Sequence, residues 1–116
     1  MKFGLTDKII KQIQSVLARY PQVKKSLLYG SRAKGNYKNG SDIDMTLTGG
    51  EDLTLNVLYR IMDDIDDLLL PYTFDLSVFR HINDPDVVEH IQRAGVTFYE
   101  KTEADEDSLE SKQLKP

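Results

Sequence analysis

Cysteine is absent from the chain, which excludes disulfides, thiolate zinc sites and a cysteine nucleophile. No apolar run approaches the roughly 20 residues of a membrane span, and the amino terminus, MKFGLTDKIIKQ, lacks the apolar stretch of a signal peptide. No membrane association is therefore expected, and the chain is expected to stay in the cytoplasm. Histidine is scarce: His81 and His90 stand nine residues apart on different elements, match no metal-pair spacing, and read as surface or boundary residues. Tandem repeats are missing, and at 116 residues there is room for one domain. Net basic character is lacking too. The formal charge is -4, whereas a nucleic-acid-binding domain is normally basic throughout, so nucleic acid is not an expected partner.

That charge is unevenly spread. Residues 1–40 hold nine Lys or Arg against the single acid Asp7, and residues 41–100 hold three basic residues against thirteen acids. Where the two regimes meet lies Gly30 to Asp44, GSRAKGNYKNGSDID. The apolar run Ser26 to Tyr29 ends at Gly30, as a buried strand does on entering a tight turn. A glycine there lets the backbone approach a ligand, and Ser31 adds a hydroxyl beside exposed N–H groups, a means of holding phosphate. A helical turn at Ser31 to Lys34 would add its own N–H groups. The positive charge reads first as solvated helix faces, and otherwise, at Arg32, Lys34 and Lys38, as a local funnel for phosphate. Asn39-Gly40 is a hairpin signal that delivers a strand over 42–48. Alternation along that strand puts Asp42 and Asp44 on one face and Ile43, Met45 and Leu47 on the other. Two carboxylates roughly 6–7 Å apart along one strand face repel each other unless a cation joins them. Oxygen-only ligands suit Mg²⁺ or Mn²⁺, with water and phosphate oxygens completing the shell.

The rest of the chain reads as scaffold. Residues 6–20 predict an amphipathic helix with Thr6 as N-cap, Leu5 poised to staple onto Ile10, and Pro21 as its stop. A strand follows over 25–29. Helical spacing of Leu55, Leu58, Ile61, Met62, Ile65, Leu68 and Leu69 predicts a second helix over 53–69. The carboxylates on its outer side, Asp63, Asp64, Asp66 and Asp67, lack the glycine and closing glutamate of a calcium loop and read as a solvated face. Residues 73–80 predict a strand with Asp75, Ser77 and Phe79 on one face. An aspartate inside an apolar strand is costly unless paired or bound to metal, which makes Asp75 the natural third carboxylate; a solvated aspartate on an open sheet face is the alternative. Asp84-Pro85 opens a third helix ending before Gly95, and Val96 to Glu100 reads as the last strand. From Lys101 the sequence is polar and acidic and reads as a disordered tail over 101–116, leaving 1–100 as the folded domain.

On Gly30, Ser31, Ala33, Gly35, Ser41, Asp42 and Asp44 the sequence resembles the minimal nucleotidyltransferases of the DNA polymerase β superfamily. The resemblance implies an α/β (α+β) fold of the polymerase-β type, a small mixed sheet of about four strands with three helices covering one face. It implies transfer of AMP from ATP to a hydroxyl, with Asp42, Asp44 and Asp75 as catalytic metal ligands for two Mg²⁺ ions. Gly30, Ser31, Arg32, Lys34 and Ser41 would then contact the nucleotide, the first two cradling phosphates. Where the family's signature, often G-S-x-A-R-G, has its arginine, this chain has Lys34, which keeps the charge but loses the bidentate fork. Small members often pair with a helical HEPN toxin, implying a hetero-oligomer in which this chain adenylylates a partner tyrosine as the antitoxin. A non-catalytic nucleotide- and partner-binding module, and a small-molecule nucleotidyltransferase of the antibiotic-modifying kind, are the other readings.

Overall fold

The computed structural model describes residues 1–102. Helix α1 spans Asp7–Ala18, with the Thr6 hydroxyl accepting from the Ile9 N–H at 3.2 Å. Its apolar stripe buries Ile13, Val16 and Leu17. The helix stops two residues short of the expected end because Arg19 and Tyr20 turn their N–H groups to the Val16 and Leu17 carbonyls in a tighter final turn. Strand β1, Val23–Tyr29, starts earlier than expected, a register irregularity between Val23 and Lys25 letting Val23 pair with Gly49. A four-residue helix α2, Ser31–Lys34, then precedes a loop and strand β2, Ile43–Gly49.

Helix α3 is Leu55–Asp66, capped by the Thr54 hydroxyl on the Val57 N–H, which sets its start after the expected residue 53. It ends before 69, where Leu69 takes a left-handed φ of 55°. Strand β3, Phe74–Val78, is shorter than expected: Phe79–His81 form a 3₁₀ turn from which Arg80 donates to the Gly50 and Glu51 carbonyls at 2.8 and 3.3 Å. Helix α4, Pro85–Ala94, has Asp84 as N-cap, and strand β4 is Val96–Glu100. The Lys101 N–H still reaches the Lys24 carbonyl at 2.9 Å. Beyond residue 102 the expected tail lies outside the described residues.

The four strands form one mixed sheet in the order β3-β2-β1-β4. Strands β1 and β2 are antiparallel, as are β1 and β4, while β2 and β3 run parallel. Parallel neighbours require a crossover, and α3 supplies it. Ile43, Met45 and Leu47 of β2 are fully buried with Leu28, Leu53, Ile61 and the stripe of α1 in one core. Helices α1 and α3 contact each other. Helix α4 stands apart from them: it contacts β1, its His90 ring meets Tyr29 edge-on, and its buried Ile91 lies outside that core. Tyr29 pairs with Asp44, so α4 approaches from the side of the carboxylates, and the three long helices do not all cover one face.

Leu47 lies at 0% exposure in the middle of β2, so Leu47→Ala should cost about 2–5 kcal/mol of unfolding free energy in a urea titration. Loss of less than about 1 kcal/mol would mean that the strand's apolar face is not the packed core.

Candidate functional site

The alternation that buries Ile43, Met45 and Leu47 turns Asp44 to the opposite face, where it is half-buried. Parallel pairing sets Asp44 level with Asp75, and antiparallel pairing sets Tyr29 level with Asp44 on its other side. Paired residues project to the same side of a sheet, with neighbouring strands about 4.8 Å apart. Tyr29, Asp44 and Asp75 therefore form a row across three strands. Asp42 is exposed and lies one residue ahead of β2 rather than within it. It still acts on the row: burial raises the pKa of the Asp44 carboxyl from its ordinary 3.8, and the charges of Asp75 and Asp42 push it further the same way. The Tyr29 hydroxyl is also pushed up, first by burial and then by Asp75 and Asp44, with a hydrogen bond to the Ser77 side chain pulling it down.

The glycine turn is packed against this row. Gly30 has φ 78°, and a Cβ at that position would collide with the Asp44 carboxylate. The left-handed backbone and the close approach both demand glycine. Ser31 opens α2, and Gly35, at φ 86°, closes it with its N–H on the Ser31 carbonyl. The Lys34 side chain is exposed on this turn.

Arg32 is placed differently from the expectation of a phosphate contact. It is 3% exposed, and its guanidinium donates through Nε and Nη2 to the Ser41 carbonyl at 3.0 and 2.8 Å and through Nη1 to the Phe3 carbonyl at 2.9 Å. The Tyr72 and Tyr37 rings flank it, their centroids 5.0 and 5.4 Å from Cζ. Burying an unpaired guanidinium costs several kcal/mol; three charge-assisted hydrogen bonds at roughly 1.5–3 kcal/mol each, with two ring faces, offset that. Ser41 is engaged as well, its hydroxyl accepting from the Lys38 N–H at 2.8 Å. Of the expected residues, then, Gly30, Asp44 and Asp75 come together directly, Asp42 and Ser31 border them, Lys34 faces solvent, and Arg32 and Ser41 hold each other.

Sequence reasoning missed Tyr29, Ser77 and His90. Tyr29 was legible only as the end of a strand, and Ser77 only as sharing a face with Asp75. His90 meets Tyr29 at 6.4 Å between ring centroids and 78° between planes, a contact between α4 and β1 with no local signal.

Among the described residues no three acidic or histidine side chains close into a cage for a metal ion. The three carboxylates form an open, all-oxygen set, the kind that suits Mg²⁺, which binds through one or two carboxylates and keeps water or phosphate oxygens around the rest of its shell. The glycine cradle against Asp44 and the charge crowding on Asp44 both fit a cation at this place.

A family model described as Polymerase beta, Nucleotidyltransferase matches residues 11–104. No relative is found among curated proteins. Among solved structures, a toxin-antitoxin complex with AMP-PNP contains a similar chain with TM-score 0.63 and 18% identity, covering 94% of this chain and 88% of that one. A tri-AMPylated Shewanella oneidensis HEPN toxin in complex with MNT antitoxin gives 0.62 and 16%, covering 94% and 87%. The toxin-antitoxin MntA-HepT gives 0.61 and 16%, covering 93% and 87%. At these identities the likeness is one of fold.

A carboxyl whose pKa is raised on folding gives stability that is present below its unfolded value and lost as pH rises through the folded value. With chelator present, the wild type should therefore lose stability on this account as pH climbs from about 4 through the raised Asp44 range, and Asp44→Asn should lose less. Thermal melts across pH check this. Asp44→Asn melting well below the wild type at pH 7 in chelator would contradict the crowding of charge.

Proposed function

Because the chain belongs to the polymerase-beta nucleotidyltransferase family, we propose that it transfers AMP from ATP to a hydroxyl, and that the acceptor is a tyrosine of a helical HEPN-type toxin with which it pairs as antitoxin. The observation that carries the reading is the register that sets Asp44 beside Asp75, next to the glycine turn. The AMP-PNP complex and the AMPylated toxin among its fold neighbours support the donor and the acceptor.

In the proposed reaction the acceptor oxygen bonds to the α-phosphorus, the bond from that phosphorus to the bridging oxygen breaks, and pyrophosphate leaves. Asp75, exposed on β3, faces the incoming hydroxyl and takes its proton, while Asp42 and Asp44 face the phosphates. Mg²⁺ held by these carboxylates would neutralise charge on the attacking and leaving oxygens. The Gly30-Ser31 turn would receive the outer phosphates, with Lys34 supplying one mobile positive charge. Both Asp42 and Asp75 are exposed, so the carboxylate face is open. An open face cannot enclose a small acceptor or exclude water around it, whereas a protein acceptor brings its own surface.

Incubation with ATP, Mg²⁺ and the co-purified partner, followed by mass spectrometry, should show the partner heavier by whole AMP groups on a tyrosine. Label confined to this chain's Tyr37, or to added small molecules, would overturn the acceptor. Asp75→Asn should keep Mg²⁺-ATP binding in calorimetry while transfer falls by about a hundredfold or more. Loss of nucleotide binding as well would move Asp75 to the donor side.

A further inference from the structure

We propose that Arg32 is a positioning residue, a clasp that fixes the distance between the phosphate-side turn and the carboxylate strand and so sets where Asp42 stands. Arg32 follows Ser31 directly in α2, and its fork closes on the carbonyl of Ser41, the residue immediately before Asp42, through two donors at 3.0 and 2.8 Å. One side chain thus joins the two ends of the loop 35–41, every residue of which except Ser41 is exposed. The Gly35 and Asn36 N–H groups tie the start of the loop to the Ser31 carbonyl at 3.0 and 3.2 Å, and past them the backbone bonds are those of Lys38 to Ser41, through its N–H to the Ser41 hydroxyl at 2.8 Å and through its carbonyl to the Ser41 N–H at 3.0 Å. The Lys38–Ser41 bonds close a turn within the loop and do not anchor its strand-side half to α2.

The other end of the clasp is anchored. Nη1 reaches the Phe3 carbonyl at 2.9 Å, in the amino-terminal turn that Lys2 and Leu5 close through both of their backbone groups at 3.0 and 2.8 Å. Phe3 holds a left-handed φ of 59° there, a conformation that surrounding contacts must maintain. The guanidinium carbon also lies over the rings of Tyr37 and Tyr72. A Cβ on Gly4 would strike both the Tyr37 ring and Arg32 Nη1, so the amino-terminal turn is shaped to this side chain. Only a planar, forked cation directs two bonds to one carbonyl while lying over aromatic rings. Lysine at this position keeps the charge and loses the fork.

This assignment rests on the carboxylates working as proposed above, and the test separates the two. Arg32→Met and Arg32→Lys are compared with the wild type well below their melting temperatures, with folding verified by circular dichroism. Amide hydrogen exchange over residues 36–42, measured without nucleotide, should speed up by about tenfold or more in both variants. The Mg²⁺ concentration that half-saturates transfer should rise by about ten- to a hundredfold, as for other residues that orient a metal ligand. At saturating Mg²⁺ the KM for ATP should stay within about twofold while kcat falls. Unchanged exchange over 36–42 overturns the clasp. A KM for ATP that rises at saturating Mg²⁺, with exchange unchanged, makes Arg32 a direct phosphate ligand instead. Full activity and Mg²⁺ response in Arg32→Lys shows that charge alone suffices and also overturns it. Should the wild type transfer no AMP at all, the functional reading fails while the exchange measurement still decides the clasp.

Discussion

Crowding of negative charge on one sheet face is the constraint on which the rest of this molecule turns. Asp44 is half-buried with Asp75 level beside it and Asp42 two residues away, and burial and both neighbours push its carboxyl toward the neutral form. A fold does not gather carboxylates in this way for stability, since like charges in a partly desolvated place oppose each other. The cost is borne by the opposite face of the same strand. Ile43, Met45 and Leu47 are fully buried there, and apolar burial at roughly 25 cal/mol per Å² over several side chains outweighs repulsion at a half-solvated site.

The architecture around that face serves it. One antiparallel neighbour, β1, brings Tyr29 and the glycine turn to one side of Asp44; a parallel neighbour, reached through α3, brings Asp75 to the other. The parallel pairing matters because it aligns strand ends pointing the same way. Asp44 and Asp75 thus sit near the starts of their strands, where the loops open to solvent, and an incoming group has access from outside. Gly30 completes the arrangement by leaving no side chain between the turn's backbone and the Asp44 carboxylate.

Positive charge is organised by a different logic. The amino-terminal third is rich in Lys and Arg, which in sequence reads as a funnel for phosphate. In three dimensions its members part company: Lys34 and Lys38 are exposed, while Arg32 is buried over the rings of Tyr37 and Tyr72 and spends its donors on backbone carbonyls. A guanidinium and an ammonium differ enough in shape that adjacent cations can serve separate ends.

Much of the chain was legible from residues alone. The N-caps Thr6 and Asp84, the alternation of Ile43, Met45 and Leu47 against Asp44, and the stripe on α3 depend on neighbours within a turn or a strand, and local order records them faithfully. The motif from Gly30 to Asp44 was legible for the same reason, since turn and strand are contiguous. What only the tertiary structure decided are relations between distant segments. They include the register that sets Asp75 level with Asp44, the withdrawal of Arg32 toward Phe3 and Ser41, and the approach of α4 that lays His90 against Tyr29. A side chain's periodicity states which face it takes; which partner waits on that face is settled by packing among elements far apart in the chain, and no local pattern encodes that choice.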